Sequence, residues 1–236
     1  MEKYAKEICV DIHDVDFNGV AKASALMKYV QLAAQAQLTE NGMSYDELKN
    51  KNRAFILSRM KLEFTEPVRA FENLTAVTFP CESRGFSFLR CYKLKKGDKT
   101  VARAVSLWAL IDTDTHSLVK VNDFELGLQT FDPLDMPLGR FVIPVAMSEV
   151  GNYSVHYGDV DQNKHMNNTR YPDMYANYLP IENNRICEIT INYQNEAPAG
   201  DTLTVYMGSD GDVYYFRTVR SDGKVNTEAE LRLTKI

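Results

Sequence analysis

Between residues 19 and 42 the chain reads GVAKASALMKYVQLAAQAQLTENG, and Leu26, Met27, Val30, Ala33, Ala34 and Leu38 recur there at three- and four-residue steps. That period predicts one helix with a buried stripe. Gly42 suits the position just past its end, and Ser44 with Glu47 reads as a capping box that opens a second, short helix. From Ala54 the pattern becomes that of strands: AFILSRMKLEF, LTAVTF, GFSFLRCYKL and TVARAVSLWALID follow one another, with a polar turn at KKGDK (95–99).

The order then recurs. A shorter helix is expected over roughly Thr169–Tyr178, with Pro172 tolerated because it lies in the first turn. Strands are expected at ICEITINY, TLTVYM, VYYFRTV and NTEAELRL, with SDGK as a turn. In the first of these, Cys187, Ile189, Ile191 and Tyr193 alternate onto one face, which makes Cys187 a core thiol. Asp16 and Asn18 match Asp161 and Asn163 at an offset of 145, and Phe64, Glu72, Leu74 and Thr75 match Tyr193, Asp201, Leu203 and Thr204 at 129. Leu89 and Arg90 match Phe216 and Arg217 at 127. The pattern is that of a duplicated α+β unit, each half a long helix wrapped by a curved four-stranded antiparallel sheet, the halves pairing edge to edge around a cleft. Residues 1–130 form the first half and 148–236 the second. The segment 131–147, rich in proline and without period, reads as a linker.

Composition narrows the class of protein. With 236 residues, 44% hydrophobic and 25% charged, the chain is an ordinary globular one with material for a sizeable core. A formal charge of −5 argues against a general nucleic-acid binder. Cys9, Cys81, Cys91 and Cys187 show no CxxC spacing and read as reduced thiols. The charged N-terminus has no apolar signal-peptide core, and no apolar run is long enough to span a membrane, so a cytoplasmic location is expected.

The strings DVDFNG (14–19) and DVDQNKHMNN (159–168) carry the candidate chemistry. Neither closes a calcium loop, because the twelfth positions are Ala25 and Arg170 where a glutamate is required. His156 and His165 have no ligand pair at zinc spacing, so no metal and no cofactor is expected. In an extended segment Asp161, Asn163 and His165 would face one way, and Asn167 or Asn168 would cap the following helix. In the first copy Val20 stands where the histidine would be. An Asx-rich cap that merely starts a helix accounts for that copy and competes as a reading of the second.

DQNKHMNNTRY resembles the D-x-N-x-H-x-N-N stretch of the acyl-acyl carrier protein thioesterases of plant plastids and bacteria. FILSRMKLEF and the tryptophan strand SLWALID extend the resemblance over most of the chain. It implies a tandem (double) hotdog fold and a site made of Asp161, Asn163, His165 and Glu196, the last in YQNEAP with Ala197 where many relatives have cysteine. The implied reaction is hydrolysis of a fatty acyl thioester by water, with Glu196 or His165 as general base. Asn167 and Asn168 are expected to bind substrate at the helix start. Met27, Val30 and Arg59 are expected beside the acyl chain in the first half. The implied partner is an acyl carrier protein with a phosphopantetheine-linked chain, and a homodimer is the assembly considered. An acyl-CoA thioesterase, another hotdog enzyme and a non-catalytic acyl-binding protein are the competing readings. A hydratase is disfavoured because a single residue, Lys164, separates Asn163 from His165.

Overall fold

A computed structural model of the protein describes residues 3–236. The first half runs β1 (Tyr4–Cys9), α1 (Ala23–Glu40), α2 (Tyr45–Asn50), β2 (Arg53–Phe64), β3 (Asn73–Pro80), β4 (Ser87–Lys96), β5 (Lys99–Asp112) and the two-residue β6 (Leu118–Val119). The second runs β7 (Ser148–Ser154), α3 (Tyr171–Ala176), β8 (Asn184–Tyr193), β9 (Thr202–Asp210), β10 (Val213–Val219) and β11 (Val225–Lys235). All strands join one antiparallel sheet in the order β1-β3-β4-β5-β2-β8-β11-β10-β9-β7, with β6 paired to β5. Numbering the five long strands of each half in chain order gives the same spatial order, first-third-fourth-fifth-second, in both.

The join between halves shows how closely the copies correspond. β2 pairs β8 with Met60 opposite Ile191, Lys61 opposite Thr190 and Leu62 opposite Ile189. Leu62 and Ile191 are equivalent, since each faces the matching alanine of the next strand, Ala104 and Ala229. The same register shift equates Met60 with Ile189. Exchanging the halves therefore maps this pairing onto itself, with Lys61 and Thr190 on the pseudo-twofold axis.

Three expectations change here. Each half has a fifth strand, β1 or β7, at a sheet edge. Their sequences YAKEIC and SEVGNYS leave much of the strand exposed and carry no apolar run that would mark them. The second helix is not long: α3 has six residues, preceded by a single 3-10 turn at Asn168–Arg170, and the chain leaves it before Pro180. The match of Leu89 and Arg90 to Phe216 and Arg217 is out of register. β3 sets Thr78 opposite Tyr92, and β9 sets the equivalent Met207 opposite Phe216, so Tyr92 corresponds to Phe216 and Arg90 to Tyr214. The correction is an odd number of residues, and an odd slip turns a strand's faces over.

The apolar core lies between α1, α3 and the concave face of the sheet, and includes Met27, Val30, Met60, Leu62, Tyr175, Ile191 and Phe216. On the other face the segment 131–147 acts as a strap. Phe131, Leu134 and Met136 pack on Phe79, Cys81 and Cys91, and Gly139 O accepts from Arg59 Nη1 at 2.5 Å. Beyond that the strap reaches β9, where a Cβ on Gly208 would come within 2.8 Å of Val145 Cγ2 and closer still to the Ala146 carbonyl oxygen. Glycine is required at that crossing. A β-bulge opposite Arg232 breaks the alternation of β8, so Ile186 rather than Cys187 packs on the core, and Cys187 is only half-buried.

Candidate active site

The two copies of the acidic string fold into the same turn. Asp16 Oδ1 accepts from the Asn18 amide at 2.9 Å, and Asp161 Oδ1 accepts from the Asn163 amide at 2.8 Å. Gly19 and Lys164 close the turns with φ of +71° and +65°. For lysine that conformation carries local strain. The amides of Asp16 and Asp161 then donate to Val20 O and His165 O, and those of Ala21 and Met166 to Val68 O and Ala197 O. Because residues 161–164 form a turn, Asp161, Asn163 and His165 do not share one face of an extended segment. The Asp161 carboxylate is occupied by the turn and serves to place Asn163.

His165 leaves the turn extended and bridges to Pro198, while the Arg220 guanidinium holds Glu196 O at 2.8 Å. These two clamps set the imidazole against the carboxylate, with His165 Nδ1 3.0 Å from Glu196 Oε2. The His165 and Glu196 side chains are 36% and 53% exposed, so solvent water reaches the pair. In the first copy the equivalent positions are Val20 and Pro67, which can do no acid–base chemistry. Ala197 is fully buried in the core, and Cys187 lies six residues along β8 from Tyr193, ~20 Å at about 3.3 Å per residue. No thiol lies next to His165.

Asn163 and Asn167, on either side of His165 in sequence, line a cavity of about 440 Å³. Its walls come from the first half: Gln31, Ala34 and Leu38 of α1, Phe55 of β2, Phe88 of β4 and Trp108 of β5. Tyr45, the first residue of α2, reaches across 118 positions to donate to Asn163 Oδ1 at 3.0 Å. That bond leaves the Asn163 amide nitrogen as the free donor at the cavity edge. No sequence signal marked Tyr45, because its role depends on the docking of one half against the other. Asn167 caps the 3-10 turn through Thr169 N at 2.9 Å. Asn168 does not line the cavity; its carbonyl accepts from Tyr193 and its Oδ1 is buried without a partner.

Three expected substrate contacts lie elsewhere. Met27 and Val30 are sealed in the core, at 0% and 2% exposure, because the stripe that packs on the sheet is one step round α1 from the cavity wall. Arg59 is on the strap side of the sheet, where Nε and Nη2 donate to Asn192 Oδ1. A bulge between Leu57 and Arg59 resets the strand's faces there. The pseudo-symmetric counterpart of the cavity, about 310 Å³, lies between the first-copy turn (Asp16, Phe17, Val20) and Pro172, Ala176 and Ile186. There Asn18 is fully engaged, donating to Ile181 O and Asn184 O.

Among the described residues no group of three His, Cys, Asp or Glu side chains is placed to hold a metal ion, and no helix is long and apolar enough to cross a membrane. The family profile for the acyl-ACP thioesterase N-terminal domain matches residues 1–126, and that for the acyl-ACP thioesterase C-terminal domain matches residues 144–235. The oleoyl-acyl carrier protein thioesterase of Coriandrum sativum chloroplasts is 21% identical over 97% of this chain and 69% of its own. Two solved structures share the fold. An acyl-ACP thioesterase from Bacteroides thetaiotaomicron has a TM-score of 0.89 at 20% identity, covering 98% of this chain and 97% of that one. The 12:0-ACP thioesterase from Umbellularia californica has a TM-score of 0.85 at 15% identity, covering 99% and 97%.

Proposed function

This chain belongs to the acyl-ACP thioesterase family, and from that premise we propose how it hydrolyses fatty acyl-acyl carrier protein thioesters to free fatty acid and carrier thiol. The repeated unit is read as a hotdog and the chain as two in tandem, the first half holding the acyl chain and the second supplying the chemistry. The observation that carries the mechanism is the His165–Glu196 contact, flanked in sequence by Asn163 and Asn167, which line the cavity that the pair itself does not line. With Nδ1 held by the carboxylate, Nε2 is the free nitrogen of the imidazole and acts as general base. A water loses its proton to Nε2 as its oxygen attacks the thioester carbonyl carbon. Asn163 Nδ2 donates to the developing oxyanion, and Tyr45 and Asp161 keep that amide in place. Collapse breaks the carbon–sulfur bond, and the leaving thiolate takes the proton back from the imidazolium. The thiol leaves on the phosphopantetheine arm of the carrier, in the cytoplasm, as the step that ends chain growth in fatty acid biosynthesis.

Carrier docking needs a local positive patch despite the net charge of −5. Of the basic residues considered for that patch, Arg53 at the cavity wall is paired with Asp112, and Lys96 and Lys99 at the β4–β5 turn with Glu72 and Glu66. Lys93 and Lys95 on β4 have no such partner among the described residues and are the proposed contacts.

The decisive experiment compares three variants on one acyl-carrier substrate, following thiol release, with circular dichroism to confirm folding. His165→Ala should lower turnover by about 10²-fold or more. Glu196→Ala should do the same. Glu196→Gln, whose half-exposed amide can still turn an oxygen toward Nδ1, should retain activity within about tenfold of the parent if Glu196 only orients the ring. A loss as deep as that of Glu196→Ala would instead make the carboxylate the base.

A further inference from the structure

Arg90 is an unexpected residue to find in the wall of a cavity that holds a hydrocarbon chain. It stands in the middle of β4 on the same face as Phe88 and Tyr92, is 7% exposed, and lines the cavity. Its Nη1 donates to Gln37 Oε1 at 2.6 Å and to Thr78 Oγ1 at 2.9 Å. Nε and Nη2 donate to no described residue, and neither is among the polar atoms sealed off without a partner. No described carboxylate lines the cavity. The other two cations on its wall are neutralised, Lys28 by Asp14 at 2.8 Å and Arg53 by Asp112 at 2.5 Å. Arg217, on the outer face of β10, likewise has its partner in Glu228 at 2.6 Å. A guanidinium stays charged at any physiological pH, and burying one without a counter-ion is strongly unfavourable. Here Gln37 and Thr78 fix one corner of the fork and leave the Nε–Nη2 edge open, the edge that accepts two oxygens side by side.

We propose that Arg90 reads an oxygen function carried far along the acyl chain, so that the preferred substrates are hydroxy- or carboxy-substituted acyl thioesters rather than plain ones. The inference rests on the acyl-thioesterase reading above and names its substrate class. β4 is three strands from β8, about 14 Å at ~4.8 Å per strand, so the recognised group is remote from the thioester.

The test uses the full chain and carrier protein loaded with three chains of equal length: unsubstituted, ω-hydroxy and ω-carboxy. The parent should show kcat/KM at least tenfold higher for one of the substituted chains, and which one identifies the group. Arg90→Met should reverse that preference while leaving the thermal midpoint unchanged or higher, because it removes a buried charge that no described carboxylate pairs. Gln37→Leu, which frees the guanidinium without deleting it, should weaken the preference and serves if Arg90→Met does not fold. The single tryptophan, Trp108, lines the cavity, so its fluorescence gives the affinity of the matching free acids independently of turnover. Failure to hydrolyse any of the three thioesters would count against the thioesterase reading, while the fluorescence ranking would still decide the role of Arg90. A parent that favours the plain chain in both assays overturns the proposal. So does an Arg90→Met variant that merely accepts longer plain chains, which would make Arg90 a length stop.

Discussion

Asp14 and Asp159 hold corresponding places ahead of the two turns, and both carboxyls are anchored to the fold. Burial alone would push Asp159 up, but the His156 amide, the Tyr153 hydroxyl and Arg170 outweigh it and hold the group below the usual aspartate range. Asp14 follows the same pattern, with Lys28 and Tyr29 overcoming burial. Burial and the bond to Asp159 push the Tyr153 hydroxyl up to about 12, so it remains a donor. A carboxyl lowered in the folded state adds stability that is complete above its unfolded value, about 3.9, and is lost as pH falls through the native one. Asp159→Asn should therefore be less stable than the parent by a constant margin from pH 7 to about 4.5, and the margin should shrink below about pH 4. Urea midpoints across that range would measure it. At this scale the sequence was readable wherever a residue repeats. The equivalence of His165 with Val20 and of Glu196 with Pro67 follows from the offsets 145 and 129, and the loop hydrogen bonds repeat with the same offsets. Tyr45 and Arg90 were not readable as cavity residues, since each takes its place through a partner from a different element.

For α1 the helical period located the helix but not the division of its surface. Met27 and Ala34 belong to the same apolar stripe, yet Met27 faces only core while Ala34 also borders the cavity. The two should respond differently. Met27→Ala should lower stability by about 2–5 kcal/mol with the same spread of released acids. Ala34→Leu should shift that spread to shorter chains, and Leu38→Ala to longer ones, as read by chromatography of products from a mixed acyl-carrier pool. A product spread unchanged in both cavity variants would remove α1 from the acyl wall. The capping box of Ser44 and Glu47 was legible because it is local, and both of its bonds are present. The edge strands β1 and β7 were not, because a strand with one open edge and half its side chains in water shows no apolar alternation.

At the level of the whole molecule, the duplicated order of elements could be read, whereas the strap across the back could not. Residues 131–147 have no period because they pack through scattered side chains such as Met136 and through backbone contacts. One of these is the crossing at Gly208. Gly208→Ala should force the strap away from β9 at a cost of about 1–3 kcal/mol, lowering the thermal midpoint by several degrees for a chain of this size. Trypsin should then cut earlier at Arg140, which the time course of limited digestion would show. A different consequence follows from the axis between β2 and β8. Were two identical half-chains to associate through this same register, whatever stood on the axis would meet a copy of itself. Lys61 would then face another lysine, and like charges directly opposite across strands repel. Joining the halves in one polypeptide removes that obligation to be self-complementary. Lys61 faces Thr190 instead and sits 2.7 Å from Glu188. Residues at the seam are thus free to differ from their counterparts, and a one-sided seam locks the halves in a single relative orientation.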